Sequence, residues 1–442
     1  MTRSSNLRRV LVAMLGMVSL AAVACGGDGE PSEQSRERQP GEKITMTFWS
    51  WVPGVDKAVA LWNSENPEVQ VKLEKIPAGN QGGYAKMHSA LKSGEAPDLA
   101  QVEYQVIPEF LLEGGLVDLK PLGVAERQGD FVDWQWEQGV FGEGVYAVPQ
   151  ASGPMAMFYR EDLFTKWGIA PPTTWAEYEQ AARAIRQADP KAYISTFPPG
   201  NSAWFTSLAA QAGAKWFEVD GNTWKVDMDT PETIKVAEYW DRMREDGLIK
   251  TEQDFQNGWY ADLQAGRIVT WVGAQWGDAI LMGNAPATAG KWRVAPMPQW
   301  EAGENASANW GGSSTAVLEG AEYPREAMEF ALWLNTDPES IDLLIAGGYG
   351  WPAAKGAFTG SALDKPYEFF GGQRINEVFA EADKNIDKTW QWLPTTTAMY
   401  ENLNEGFREA VAGNGSFADS VRAAQRKTVA DLKAKGLQVE GD

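Results

Sequence analysis

Between residues 44 and 73 the chain reads strand, helix, strand, and that order constrains the fold more than any other feature. Ile44, Met46 and Phe48 recur at the period of two that a half-buried strand requires. Residues 56–65 follow with helical spacing, and Val69, Val71 and Leu73 alternate again. Two strands joined through a helix lie side by side in parallel, because the crossover returns the chain to the same end of the sheet. A second helix is predicted over 84–93, stopped by Gly94, and a third strand over 97–102.

Three later helices carry explicit start signals. Thr174-Trp175-Ala176-Glu177 is a capping box, followed by Trp175, Tyr178, Ala182 and Ile185 on one face. Thr230-Pro231 places a cap before a proline in the first turn, and Val236, Tyr239, Trp240 and Met243 follow. Pro324 opens a third, with Ala327, Phe330, Ala331 and Leu334 facing inward. The class is α/β.

The N-terminus predicts export. Arg3, Arg8 and Arg9 precede an apolar run from Val10 to Ala24, and small residues lead into Cys25. The junction Ala22-Val23-Ala24-Cys25-Gly26 resembles a bacterial lipoprotein signal, which implies that the Cys25 thiol is acylated. A plain secretory signal with an incidental cysteine is the alternative. Residues 1–24 are then the signal peptide and 25–42 a lipid-anchored flexible tether, since 26–43 hold almost no apolar side chain that could collapse. The rest of the 442 residues is long enough for two lobes.

Composition removes several chemistries. Cys25 is the only cysteine and His88 the only histidine, which leaves no disulfide, no thiolate nucleophile and no His-based zinc site. His88 sits in a helical stretch without a G-x-S-x-G elbow, so packing is its expected role. Gly142-Glu143-Gly144 lacks the third glycine of a dinucleotide site and is expected to turn a hairpin. No P-loop is present, so ATP chemistry would belong to a partner. A net charge of −21 argues against nucleic acid, which needs a positive footprint. No cofactor and no metal are expected, a carboxylate-bound calcium being the alternative that the acidic composition leaves open.

Phe48-Trp49-Ser50-Trp51, then 63–69 (NSENPEV) and 93–99 (SGEAPDL), resemble the first lobe of the extracellular solute-binding proteins of bacterial carbohydrate ABC importers. Residues 146–149 (YAVP), 158–164 (FYREDLF) and 171–175 (PPTTW) resemble the passage into that family's second lobe. Gly266-Arg267-Ile268-Val269 and Trp310-Gly311-Gly312-Ser313 are similar to later landmarks, in the same order. The resemblance implies a two-lobed periplasmic-binding-protein-like fold with discontinuous lobes joined by a hinge of two or three crossing strands. Lobe one would comprise 43–151 plus 301–350, and lobe two 152–300 plus 351–442. It also implies a carbohydrate ligand held between the lobes, the membrane permease subunits of an ABC importer as partner, and a monomer.

Candidate ligand-binding residues cluster at predicted strand ends, where ligands of open α/β sheets bind. Trp49 and Trp51 share one face by alternation, and indoles stack on the apolar faces of sugar rings. Gln101, Glu103 and Tyr104 end the third strand, an amide and a carboxylate suited to paired hydroxyls. Trp204 lies where the family often supplies a stacking aromatic in lobe two. Trp276 is assigned to the cleft and Trp271 to the core. Trp310 precedes two glycines, and Tyr349, Trp351 and Trp392 lie in ring-rich loops. For each, core packing is the alternative, since the chain holds 21 tryptophans. Trp167, Trp175, Trp240 and Trp333 are assigned to packing. A secreted glycoside hydrolase with a carboxylate pair is the competing class, and an adhesion module would need repeats that the sequence lacks.

Overall fold

The computed structural model describes residues 36–357 and 362–441. Nine strands form its two main sheets: β1 (Ile44–Ser50), β2 (Val69–Lys75), β3 (Leu99–Glu103), β4 (Val148–Ser152), β5 (Met155–Arg160), β6 (Thr270–Ala274), β7 (Trp292–Ala295), β8 (Ser313–Val317) and β9 (Trp351–Pro352). The first sheet runs in the order β9-β4-β8-β3-β1-β2, and the second β6-β5-β7. β1 pairs in parallel with β2 and β3, with Ile44 opposite Val69 and Phe48 opposite Leu99. The crossover is α1 (Val55–Glu65), as its spacing predicts.

Alternation sorts β1 between two cores. Ile44, Met46 and Phe48 enter one with Phe330 and Ala331, while Trp49 joins Tyr84, Val102 and Phe110 in the other. The sheet is covered on both faces, as parallel strands require. Seven more helices bear on the site: α2 (Gly83–Ser93), α3 (Trp175–Ala188), α4 (Ser202–Gln211), α5 (Pro231–Glu245), α6 (Gly277–Asn284), α7 (Pro324–Thr336) and α8 (Thr396–Val411). The Thr174 hydroxyl accepts from the Glu177 amide and closes the capping box of α3, and Thr230 caps α5. The hairpin at Gly142 joins Val140–Phe141 to Gly144–Val145. His88 stacks on Phe110 at 4.3 Å and bonds to Glu113.

Two crossings lie side by side at the hinge. β4 leaves the first sheet and continues through Gly153 and Pro154 into β5 of the second. The return passes Asn309 into β8, and the Trp310 amide donates to the Gly153 carbonyl at 2.8 Å. The Gly153 amide in turn donates to Asn309 Oδ1 at 2.7 Å. The lobe limits move accordingly. β9 pairs with β4, Ala354 bridges Phe131 and the Lys355 amide bonds to Asp130, so lobe one extends to 355 rather than 350. Ser307 bridges Ile386 of lobe two, which puts the return crossing near 309 rather than 301. Register with a neighbouring strand sets these limits, and no local composition marks it. Cys25 lies outside the described residues. Among the described residues, no helix is long and apolar enough to cross a membrane.

Candidate functional site

The C-terminal ends of β1 and β3 face lobe two across the cleft. Gln101 on β3 is held on both ends: Oε1 accepts from the Ser50 hydroxyl at 2.9 Å and the Trp51 amide at 3.1 Å, and Nε2 donates to Ser313 Oγ at 2.9 Å. It clips three strand ends together and keeps only its second Nε2 hydrogen for a ligand. What it does is fix the backbone that presents Trp51.

Glu103, two residues on, accepts hydrogen bonds from the Tyr84 hydroxyl and from Gln105. Burial nonetheless pushes its carboxyl above the usual range, because the two bonds only partly offset desolvation. Opposite it stands Tyr400 on α8, whose phenol is pushed up by burial and by the Glu103 charge. Gly311 lies between the lobes here, and a Cβ on it would sit 3.6 Å from Trp276 Nε1 and 3.9 Å from Glu103 Oε1. The hinge therefore brings a lobe-one carboxylate and a lobe-two indole to one point.

Beside this point is a narrow cleft, lined from lobe one by Tyr104 and Trp134 and from lobe two by Thr206, Ser207, Trp390 and Trp392. The Trp134 and Trp390 indole nitrogens are buried there without a protein acceptor. An unpartnered buried donor costs about 1–3 kcal/mol, and these two border the cleft. Trp51 is half-buried, edge-on to Tyr84 at 5.9 Å, and shares a cluster with Trp392 from the other lobe. Indole faces and unpaired N–H groups together suit a ligand with apolar faces and many oxygens.

Several predicted contacts are placed elsewhere. The face of Trp49 is covered by the Lys86 ammonium at 3.8 Å, which also pairs with Glu74, so it is no free platform. Trp204 is 3% exposed, its N–H donates to the Val272 carbonyl at 2.9 Å, and it packs on Trp240 at 5.1 Å. Trp310 is buried against Trp276, with 4.7 Å between ring centroids. Tyr349 is a lobe-one core residue whose hydroxyl donates to Gln150 and Asn335 oxygens. Trp351 is buried within β9. Tyr104 is buried too, though its ring lines the cleft and leaves Gly312 no room for a Cβ beyond 3.0 Å. Of the predicted rings, Trp51, Trp276 and Trp392 keep partial exposure at the interlobe face. Sequence reasoning missed Tyr84, Trp134, Trp390 and Tyr400. Tyr400 sits in an amphipathic helix, where an aromatic reads as core, and only the facing lobe reveals it.

The sequence matches the bacterial extracellular solute-binding protein family over residues 49–340. An arabinooligosaccharide-binding protein of Halalkalibacterium halodurans is 27% identical over 318 residues, 68% of this chain and 69% of that protein. The galacto-N-biose-/lacto-N-biose I-binding protein of an ABC transporter from Bifidobacterium longum, solved with lacto-N-biose, superposes with a TM-score of 0.83 at 31% identity. It covers 90% of this chain and all of its own. An ABC transporter-associated binding protein from B. animalis subsp. lactis, solved with β-1,6-galactobiose, gives 0.82 at 26% identity, covering 90% of this chain and 100% of its own. A family match over most of the chain and a fold shared over 90% of it lead to one assignment: this protein belongs to the bacterial extracellular solute-binding protein family.

Proposed function

We propose that the protein is the extracytoplasmic receptor of a carbohydrate ABC importer, and that it captures a di- or oligosaccharide between its lobes and returns it intact. The observation that carries this is the meeting of Glu103 and Trp51 from lobe one with Trp276, Trp392 and Tyr400 from lobe two. A ligand touching both walls stabilises the closed state by its differential contacts, and a few kcal/mol of such contacts are enough to shift the hinge. Glu103 accepts from a pair of hydroxyls, the half-buried rings take the C–H faces, and the Trp134 and Trp390 N–H groups reach ring or hydroxyl oxygens. The lacto-N-biose, β-1,6-galactobiose and arabinooligosaccharide named for its relatives support a ligand of two or more rings. The chain works as a monomer, anchored through acylated Cys25 to the outer face of the membrane, and passes its sugar to the permease subunits.

Titration calorimetry against lactose, lacto-N-biose, β-1,6-galactobiose, cellobiose, maltose and arabinobiose tests this reading. It expects micromolar or tighter binding, about −8 kcal/mol or better, to at least one, with the sugar recovered uncleaved by chromatography. Hydrolysis would favour the glycosidase class, and no binding across the panel would overturn the receptor.

A further inference from the structure

Phe255 is the one non-glycine residue among the described residues with a left-handed backbone, at φ 58°. A bulky aromatic pays a steric penalty there, and such strain persists only where the surroundings enforce it. The enforcement is visible. Asp254, 3% exposed, accepts from Asn201 Nδ2 at 2.6 Å and from Gln253 Nε2 at 2.8 Å. Asn201 also caps α4, its Oδ1 accepting from the Trp204 amide. The next residue, Ser202, bonds through its amide and hydroxyl to Asn404, and through the hydroxyl to the Tyr400 carbonyl. One chain of hydrogen bonds thus ties the Phe255 loop to the two helices that present Thr206 and Tyr400 to the cleft.

The strained backbone aims the ring at the hinge aromatics. Phe255 stands 6.0 Å from each of Trp271, Trp276 and Trp310, and 5.5 Å from Trp259, yet stays partly exposed. A residue serving only as filler has no need of a left-handed backbone, since an ordinary conformation can bury a ring. Strain combined with partial exposure beside Trp276, the lobe-two indole that reaches the hinge, is the pattern of a preorganised contact.

We infer that Phe255 is a sugar-positioning residue: held in its strained conformation by the Asp254–Asn201 bond, it completes with Trp276 an apolar corner that seats one ring of the saccharide and sets which ring fits. This rests on the receptor reading proposed above.

Phe255→Gly and Phe255→Ala separate the roles. Both delete the ring, but only glycine accepts the left-handed backbone freely. We expect both to weaken the best-bound disaccharide of the panel at least about tenfold, as loss of an interface aromatic does. The quenching of indole fluorescence on sugar addition should shrink in both, and the rank order of the sugars should change. Phe255→Gly should melt higher than Phe255→Ala, which reports the strain. Wild-type affinity and unchanged rank order in both variants would make Phe255 filler and overturn the inference. Equal melting of the two would remove the strain on which it stands. If the wild-type protein itself binds no sugar, the receptor reading fails first, a result visible without any variant.

Discussion

The Trp276 indole N–H donates to the Trp310 carbonyl at 3.1 Å, and that bond lies over Gly153, where the chain first crosses between the lobes. A Cβ on Gly153 would come within 2.1 Å of the carbonyl oxygen and 2.9 Å of Nε1. Both neighbours are held, one by backbone and the other by packing, so neither yields cheaply. Gly153→Ala should therefore cost about 1–3 kcal/mol of stability, as overpacking does, and weaken sugar binding by displacing Trp276. Thermal unfolding and calorimetry check the pair of effects, and a variant that behaves as wild type in both would mean that the crossing is looser than its contacts imply.

Two tryptophans of lobe two should respond in opposite ways. Trp240 is 1% exposed and packs on Trp175, Trp204 and Tyr239, whereas Trp276 is half-buried at the cleft. Trp240→Ala should lose about 3–5 kcal/mol of stability yet bind sugar when folded. Trp276→Ala should melt closer to wild type and lose about 2–4 kcal/mol of binding. Normal binding by Trp276→Ala would remove it from the site.

How much of this was legible in the sequence depends on range. Local period and caps predicted β1, α1, β2 and the capping box of α3, because those signals are satisfied within a few residues. Trp49 and Trp51 show where locality ends. Alternation puts both on one face, but Lys86, delivered by α2, covers the first and leaves the second. The tryptophan N–H groups carry the same lesson. Trp175, Trp204, Trp216, Trp259 and Trp292 each find an acceptor for their N–H inside the lobe, while Trp134, Trp224, Trp300 and Trp390 do not. No spacing rule separates the two groups, since most of the acceptors come from other elements. Tyr400 and Phe255 were missed for the same reason, as their partners lie across the cleft or in other elements.

Burial pushes both Asp254 and Asp278 up to about 7. For an acid raised above its unfolded value, the protonated form is the one folding favours. Its contribution is fully present below about pH 4, the unfolded value, and is lost as pH rises through about 7. Wild-type stability should decline over that window relative to Asp254→Asn and Asp278→Asn, by on the order of a few kcal/mol per group. Denaturant melts at several pH values measure it, and parallel profiles for wild type and both variants would contradict the burial argument.

The proposed membrane attachment rests on one atom, the Cys25 sulfur. Expressed with its native N-terminus, the protein should partition with membranes, and Cys25→Ser should release it as a soluble species with unchanged sugar affinity. Fractionation and calorimetry decide this, and equal retention of both forms would reject acylation at Cys25.

Glu103 offers the sharpest separation of stability from function. Its carboxyl is raised by burial despite the bonds from Tyr84 and Gln105, so folding disfavours the charged form. Glu103→Gln keeps the shape and an acceptor oxygen while deleting that charge. The sign follows from the raised value. The variant should match or exceed wild-type stability at pH 7, and the advantage should vanish as pH falls below the ordinary carboxylate range, where wild-type Glu103 is neutral too. Binding should move the other way. A carboxylate accepts hydroxyl hydrogen bonds more strongly than an amide, by about 1–2 kcal/mol for a charged partner over a neutral one. Sugar affinity at pH 7 should therefore fall about tenfold even as melting temperature holds or rises. A drop in both would show that the charge is needed by Tyr84 and Gln105 to build the wall, and that Glu103 supports the cleft without touching the sugar.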